Sequence, residues 1–228
     1  MGTVVDILVY AALDAINPCA LAVMAIVLSS LLTQNSGKRK KVLYGGIAFT
    51  SAVFILYFLY GLGMTSVFNK VAEHAPIVVK GIGIFAIALG ILNLKDYFVY
   101  KPGGFATEMP LRIRPKMKLW VKRITSPKGA FVIGLLVTFF LLPCTIGPYI
   151  AASARLSNLS LVARIPWLIF YNIIFVLPMI AITLGIYFGF TTVERVSGWK
   201  DKNVRYLHLI EGLVLIALGI LVYTGLLH

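Results

Sequence analysis

Long apolar stretches that are poor in charge constrain this chain more than any other feature of its sequence. A helix of roughly 20 residues crosses the roughly 30 Å hydrocarbon core of a bilayer, and six stretches reach that length. They cover residues 5–33, 42–68, 76–98, 129–154, 165–192 and 205–227. With 60% apolar residues and 13% charged residues, the chain is predicted to be an all-α integral membrane protein rather than a soluble domain.

Basic residues indicate how these six spans are oriented. All but four of the 21 Lys and Arg residues lie in or beside the loops that follow spans one, three and five, the exceptions being Lys70, Lys80, Arg155 and Arg164. Because basic loops remain cytoplasmic, both termini are predicted to be extracytoplasmic, in a multi-pass protein of the cell membrane. The net charge of +13 therefore reflects topology, and a nucleic-acid partner is not expected.

A repeated apolar hexapeptide suggests that the chain contains two copies of one unit. Residues 87–92 recur letter for letter as residues 216–221. A unit with an odd number of spans enters the membrane from opposite sides in its two copies, as in many transporters. We therefore predict a single transmembrane domain of two inverted three-helix repeats, about 1–100 and about 129–228, joined by a basic cytoplasmic loop at about 95–128.

The two cysteines of the chain occupy matching positions in the two predicted copies. Cys19 follows Pro18 and Cys144 follows Pro143, each inside an apolar span. Proline interrupts a helix but suits its first position, and Asn17 is a favoured N-cap residue. Each cysteine is thus expected at the start of a new helical segment, with both segments pointing at the centre of the membrane.

A thiol at a helix N-terminus is stabilised as its reactive thiolate. The expected chemistry is therefore reversible formation of a Cys19–Cys144 disulfide through mixed disulfides with external thiols. The alternatives are two unpaired buried cysteines or a static cross-link. No metal or other cofactor is expected, because two cysteines make a poor zinc site without a converging histidine. The histidines are placed in a loop, at the interface or at the C-terminus, at positions 74, 208 and 228.

Two carboxylates inside the spans are further candidates, because ionisable groups in a membrane are costly and often functional. Asp14 lies five residues before Cys19 and is a candidate for holding water or a proton near the thiol. Its alternative interpretation is a carboxylate that is hydrated near the outer interface. Glu211 lies where the other copy has Ile82, so it breaks the symmetry between the two halves and is a candidate for a mechanistic role.

The six spans, the Pro–Cys pairs and the segment Pro143-Cys144-Thr145-Ile146-Gly147-Pro148 together resemble the CcdA family of membrane thiol-disulfide transporters, related to the transmembrane domain of DsbD. The resemblance implies a thiol-disulfide oxidoreductase with Cys19 and Cys144 as its redox pair. It further implies electron transport from cytoplasmic thioredoxin to an extracytoplasmic thioredoxin-like protein, in support of cytochrome c-type biogenesis. The predicted supporting residues are Asn17, Pro18, Pro143, Thr145, Pro148, Asp14 and Glu211.

A second function of a different class fits the same pattern. A small-solute or metal-ion exporter built on a similar inverted repeat would use the proline breaks to shape a substrate site. The two thiols would then be incidental or would bind a soft metal ion.

Overall fold

The computed structural model describes residues 2–15, 18–34, 39–74, 76–99, 119, 126–157 and 159–225, which contain helices and no strand. The all-α class predicted from the sequence is confirmed. The principal helices are α1 (Gly2–Ala15), α2 (Pro18–Gln34), α3 (Arg39–His74), α4 (Pro76–Phe98), α5 (Pro127–Ser157), α6 (Leu161–Phe188) and α7 (Val193–Tyr223).

Four helical segments within the described residues are long and apolar enough to cross a membrane, and the protein is a multi-pass membrane protein. These segments are Arg39–Val67, Ile77–Phe98, Leu161–Phe188 and Asp201–Tyr223. The apolar parts of α2 and α5, Val23–Thr33 and Pro127–Phe139, are shorter. The six-span prediction is therefore supported only for four spans, and the predicted first span is divided between α1 and α2.

Two sets of helices form the interior. α4 and α7 make the most extensive contact, while α3 packs along α5 and α6. α1 lies against α5 and α6, and α2 contacts α3 and α7. The largest fully buried side chains lie between α1, α2, α3, α5 and α6, and they include Tyr57, Tyr171, Phe49, Phe175, Met24 and Leu28.

Glycines allow α4 and α7 to approach until their backbones touch. A Cβ atom on Gly83 would meet the carbonyl oxygen of Gly219, and one on Gly219 would meet that of Gly83. Gly90 and Gly212 face each other in the same reciprocal way. Because the pairing runs in opposite directions along the two helices, α4 and α7 are antiparallel, with small residues at the interface as is common in membranes.

Proline affects the helices differently in the two predicted copies. Pro18 is the first residue of α2, so the prediction that a new helical segment begins there is confirmed. α5 runs without interruption from Pro127 to Ser157, so the prediction of a break at Pro143 is wrong. α6 likewise continues through Pro166 and Pro178. Neighbouring helices and local adjustments compensate for the backbone bond that such a proline removes in a membrane helix.

Candidate functional site

A carboxyl group is buried where α1 meets α6. Asp14 is the second-last residue of α1 and is only 2% exposed. Its Oδ2 accepts a hydrogen bond of 2.9 Å from the hydroxyl of Tyr171 on α6. Its Oδ1 is buried and has no hydrogen-bond partner among the described residues. The alternative interpretation of Asp14 as a carboxylate hydrated at the interface is therefore wrong.

Further polar groups extend this site to α3 and α5. The hydroxyl of Tyr149 donates a 2.5 Å hydrogen bond to the carbonyl oxygen of Tyr57. The Nδ2 group of Asn172 donates to the Tyr149 hydroxyl at 3.4 Å and to the carbonyl oxygen of Leu168 at 2.7 Å. We call Asp14, Tyr57, Tyr149, Tyr171 and Asn172 the Asp–Tyr cluster.

Aromatic packing holds the Asp–Tyr cluster in place. The ring of Tyr149 meets the rings of Tyr171 and Tyr57 edge to face, with centroids 4.9 Å and 5.7 Å apart. Tyr57 in turn stacks on Phe175 at 4.6 Å. All four side chains are buried. Because aromatic pairs in these geometries add to the packing energy of their burial, the hydroxyl groups are held at fixed positions between the helices.

Basic side chains near this part of the bundle are engaged elsewhere. Arg155 on α5 forms an ion pair of 2.9 Å with Asp6, and both side chains are partly exposed. Arg164, near the start of α6, is buried and donates to the carbonyl oxygens of Leu159 at 2.8 Å and Thr65 at 3.1 Å. No ion pair to Asp14 is present in the described part of the chain.

A second buried polar group lies between α4 and α7. The Nδ1 atom of His208 is 2.9 Å from Oδ1 of Asn93 and 3.9 Å from Oε2 of Glu211. His208 is completely buried in the protein, and its expected position near the membrane interface stays a prediction. Glu211 remains a candidate. It lies on α7, where α7 packs against α4, and it is not part of the Asp–Tyr cluster. Sequence reasoning missed Asn93, because nothing in the sequence marks it as the partner of His208.

An apolar groove opens between α3 and α4 toward the outside of the bundle. Its volume is about 540 Å³. Side chains with large exposed fractions form its rim, among them Leu59, Val67 and Val78. A Cβ atom on Gly63 would meet no other atom within 4 Å, so this glycine widens the groove. The other lining residues are Tyr60, Met64, Ile82 and Ile150.

The structure describes the side chains of few of the predicted redox residues. Asn17 and the side chains of Pro18, Cys19, Pro143, Cys144 and Thr145 lie outside the described residues. Pro148 is buried within α5. Of the predicted site residues with described side chains, Asp14 alone belongs to the Asp–Tyr cluster. Sequence reasoning missed the three tyrosines and Asn172, since tyrosine is common throughout apolar spans.

These features define the class as a multi-pass helical membrane protein with a polar cluster inside the bundle and an apolar groove on its outer surface. Residues 7–227 match the family described as SfLAP: Sap, sulfolipid-1-addressing protein, and the chain belongs to this family. No curated protein and no solved structure matches the chain.

The family match overturns the functional interpretation based on the Pro–Cys pairs. The chain matches the sulfolipid-1-addressing family over nearly its full length, so the assignment to the CcdA family is wrong. The predicted thiol-disulfide oxidoreductase activity and its role in cytochrome c-type biogenesis are wrong for the same reason. Cytoplasmic thioredoxin and an extracytoplasmic thioredoxin-like protein consequently have no support as partners, whereas the lipid bilayer does.

Proposed function

We propose that this protein assists the movement of an acylated, negatively charged lipid of the sulfolipid class across the membrane. The observation that carries the proposal is the match of residues 7–227 to the sulfolipid-1-addressing family. A sulfolipid combines long acyl chains with an anionic sulfate, so a protein that handles it needs an apolar surface next to positive charge. The structure has the apolar surface, in the groove between α3 and α4.

The groove between α3 and α4 supports an acyl-chain site. Nearly all of its lining is aliphatic, and the hydroxyl of Tyr60 is the polar exception. That hydroxyl is buried and has no hydrogen-bond partner within the described residues. An acyl chain would fill the apolar walls, and an ester oxygen at its head would accept a hydrogen bond from Tyr60.

The structure does not place positive charge among the described residues that line this groove. Lys80 is exposed on α4, but it lies two residues from both Val78 and Ile82 and therefore points away from the face that lines the groove. Arg164 is buried and donates to the carbonyl oxygens of Leu159 and Thr65. The groove therefore supports only the acyl-chain part of the proposal, and the anionic headgroup rests on the family match.

The reciprocal glycine contacts of α4 and α7 support the finer architecture of two inverted repeats. Contacts that repeat when the two helices are exchanged are expected for a local two-fold relation between the copies. In this architecture both termini are extracytoplasmic in the cell membrane, as the basic loops predict. The groove, formed by the end of α3 and the start of α4, then faces the extracytoplasmic half of the bilayer.

Blocking the groove tests the proposed function. Gly63→Trp would place an indole ring in the space that the acyl chain is proposed to occupy. In lipid vesicles containing the purified protein, a fluorescent sulfated glycolipid is expected to cross the bilayer faster than in empty vesicles. We expect the variant to lower this protein-dependent rate about tenfold, which corresponds to about 1.4 kcal/mol. The rate is followed by quenching the label in the outer leaflet.

Gly81→Trp is the matched control for this experiment. Gly81 lies on α4, is exposed, and has no atom within 4 Å of an added Cβ, but it does not line the groove. This variant is expected to keep the rate of the unchanged protein. Equal movement of a phosphatidylcholine with the same label, or no protein-dependent movement of the sulfated lipid, would contradict the proposal.

Replacement of both cysteines separates lipid movement from thiol chemistry. Because the family is not an oxidoreductase family, the double variant Cys19→Ser, Cys144→Ser is expected to move the sulfated lipid at an unchanged rate. The same assay, performed with and without a reducing agent, measures this. A rate that falls in the double variant, or that responds to reductant in the unchanged protein, would show that the thiols take part.

A further inference from the structure

We infer that Asp14 is a proton-binding site inside the helical bundle, with Oδ1 as the atom that takes up and releases the proton. The inference goes beyond the proposed lipid movement, because it assigns a second ligand, the proton, to the Asp–Tyr cluster. It rests on the burial of Asp14, on the arrangement of its hydrogen bonds and on the charges of the surrounding helices.

The position of Asp14 makes a permanent negative charge costly. The side chain is 2% exposed, and an ionised carboxylate inside a protein is stable only when it is paired or strongly hydrogen-bonded. Asp14 also lies at the C-terminal end of α1, where the helix dipole is negative and disfavours an anion. One hydrogen bond from Tyr171 offsets only part of these costs.

The titratable groups that the structure describes on the helices around Asp14 provide no balancing cation. α6 contributes Tyr171 and α5 contributes Tyr149, while α3 contributes Tyr57. On α1 the nearest acid is Asp6, which is paired with Arg155 of α5, and Tyr10 lies one turn before Asp14. The described side chains of α2, from Val23 to Thr33, include no titratable group. A proton is therefore the simplest means of neutralising Asp14.

The hydrogen bonds of the two carboxyl oxygens assign the proton to one of them. Oδ2 accepts a hydrogen bond from Tyr171, which is the bond expected of a carbonyl oxygen. Oδ1 has no partner in the described structure, so it is the oxygen free to carry hydrogen. Uptake forms one O–H bond with a proton from water and transfers no electrons. Release restores a carboxylate, which weakens the packing of α1 against α6 by adding an unbalanced charge between them.

Infrared spectroscopy tests this inference without any lipid substrate. The purified protein in lipid bilayers is taken from acid to alkaline pH, and the carbonyl band of a protonated carboxyl group is recorded. One such band is expected to disappear on deprotonation in the unchanged protein and to be absent at every pH in Asp14→Asn. Asp6→Asn, which removes the carboxylate of the Arg155 ion pair, is the control and is expected to keep the band.

The Tyr171→Phe variant tests the hydrogen bond of Asp14 separately from the burial of its carboxyl group. Because it removes the hydrogen bond to Oδ2, the carbonyl band of Asp14 is expected to move to higher frequency. If Asp14→Asn does not fold, ¹³C-labelled aspartate identifies the band as that of an aspartate, and its shift in Tyr171→Phe distinguishes Asp14 from the buried Asp96 of α4. A spectrum without an aspartate band that titrates would overturn the inference, as would a band that keeps its frequency in Tyr171→Phe.

The result of the infrared test does not depend on the result of the lipid assay. A protein that moves no sulfated lipid but shows the Asp14 band would refute the proposed function and leave the proton site standing. The opposite result would refute the proton site alone.

Discussion

Gly90→Val is expected to prevent α4 and α7 from packing as they do in the structure. A Cβ atom at this position would meet the carbonyl oxygen of Gly212 and the backbone nitrogen of Ile216. These are backbone atoms, so they cannot relieve the clash by adopting another rotamer as a flexible side chain can. Insertion of atoms into a packed interior typically costs about 1–3 kcal/mol, and we expect the upper end of this range or failure to assemble.

Thermal unfolding in detergent micelles, followed by circular dichroism, measures the effect of Gly90→Val. Gly81→Val is the control, because it introduces the same side chain on the same helix at a position with no atom within 4 Å. Gly81→Val is expected to unfold near the temperature of the unchanged protein. Similar losses in both variants would mean that valine acts through helix propensity and not through the contact between α4 and α7.

Tyr149→Ala is expected to destabilise the packing of α1, α3, α5 and α6 around the Asp–Tyr cluster. The variant removes the ring that packs against Tyr57 and Tyr171 and the hydroxyl that binds the Tyr57 carbonyl oxygen. It also removes one hydrogen-bond acceptor of Asn172. Large-to-small changes of buried aromatic residues cost about 3–5 kcal/mol, and a comparable loss is expected here because the cavity cannot collapse between four helices.

Tyr44→Ala provides the comparison for Tyr149→Ala. Tyr44 lies on α3 and is 59% exposed, so its removal leaves no cavity. Equilibrium unfolding of both variants in mixed micelles is expected to show a loss for Tyr149→Ala alone. Tyr149→Phe, which keeps the ring, is expected to lose about 0.5–1.5 kcal/mol from the missing hydrogen bonds. If Tyr149→Ala unfolds like Tyr44→Ala, the Asp–Tyr cluster does not stabilise the bundle.

Apolar patterning predicted the helices more accurately than it predicted their interruptions. α4 occupies residues 76–98, the bounds expected from the sequence. α2 begins at Pro18 as expected, but α5 passes through Pro143 unbroken. A proline removes one backbone hydrogen bond at either position. Whether the helix continues is decided by its neighbours, which the local sequence does not contain.

The partners of the buried polar residues likewise could not be predicted from the local sequence. Asp14 was recognised as a candidate because a carboxylate in an apolar span is unusual. Its partner Tyr171 lies 157 positions away in the chain, and no feature of a single sequence connects them. His208 was placed at the interface because it is near the predicted end of a span. Its burial against Asn93 depends on the packing of α4 and α7.

The functional prediction failed because the features behind it are not specific. Proline followed by cysteine in an apolar span is compatible with several classes of membrane protein, and similar architectures carry unrelated functions. The family match depends on residues along the whole chain. The two Pro–Cys pairs and the segment 143–148 contain too little of that information to identify the family.

α3 ends at His74 and α4 begins at Pro76, so the two helices that line the groove are tethered at one end. The Cα atoms of these two residues are separated by two peptide units, at most about 7.6 Å. The two walls are therefore joined by the chain at this end of the groove, and the opposite end is not closed by a connection between them. On the proposed function, a lipid would enter sideways from the surrounding bilayer, with its tail toward the unconnected end and its headgroup near residues 74–76.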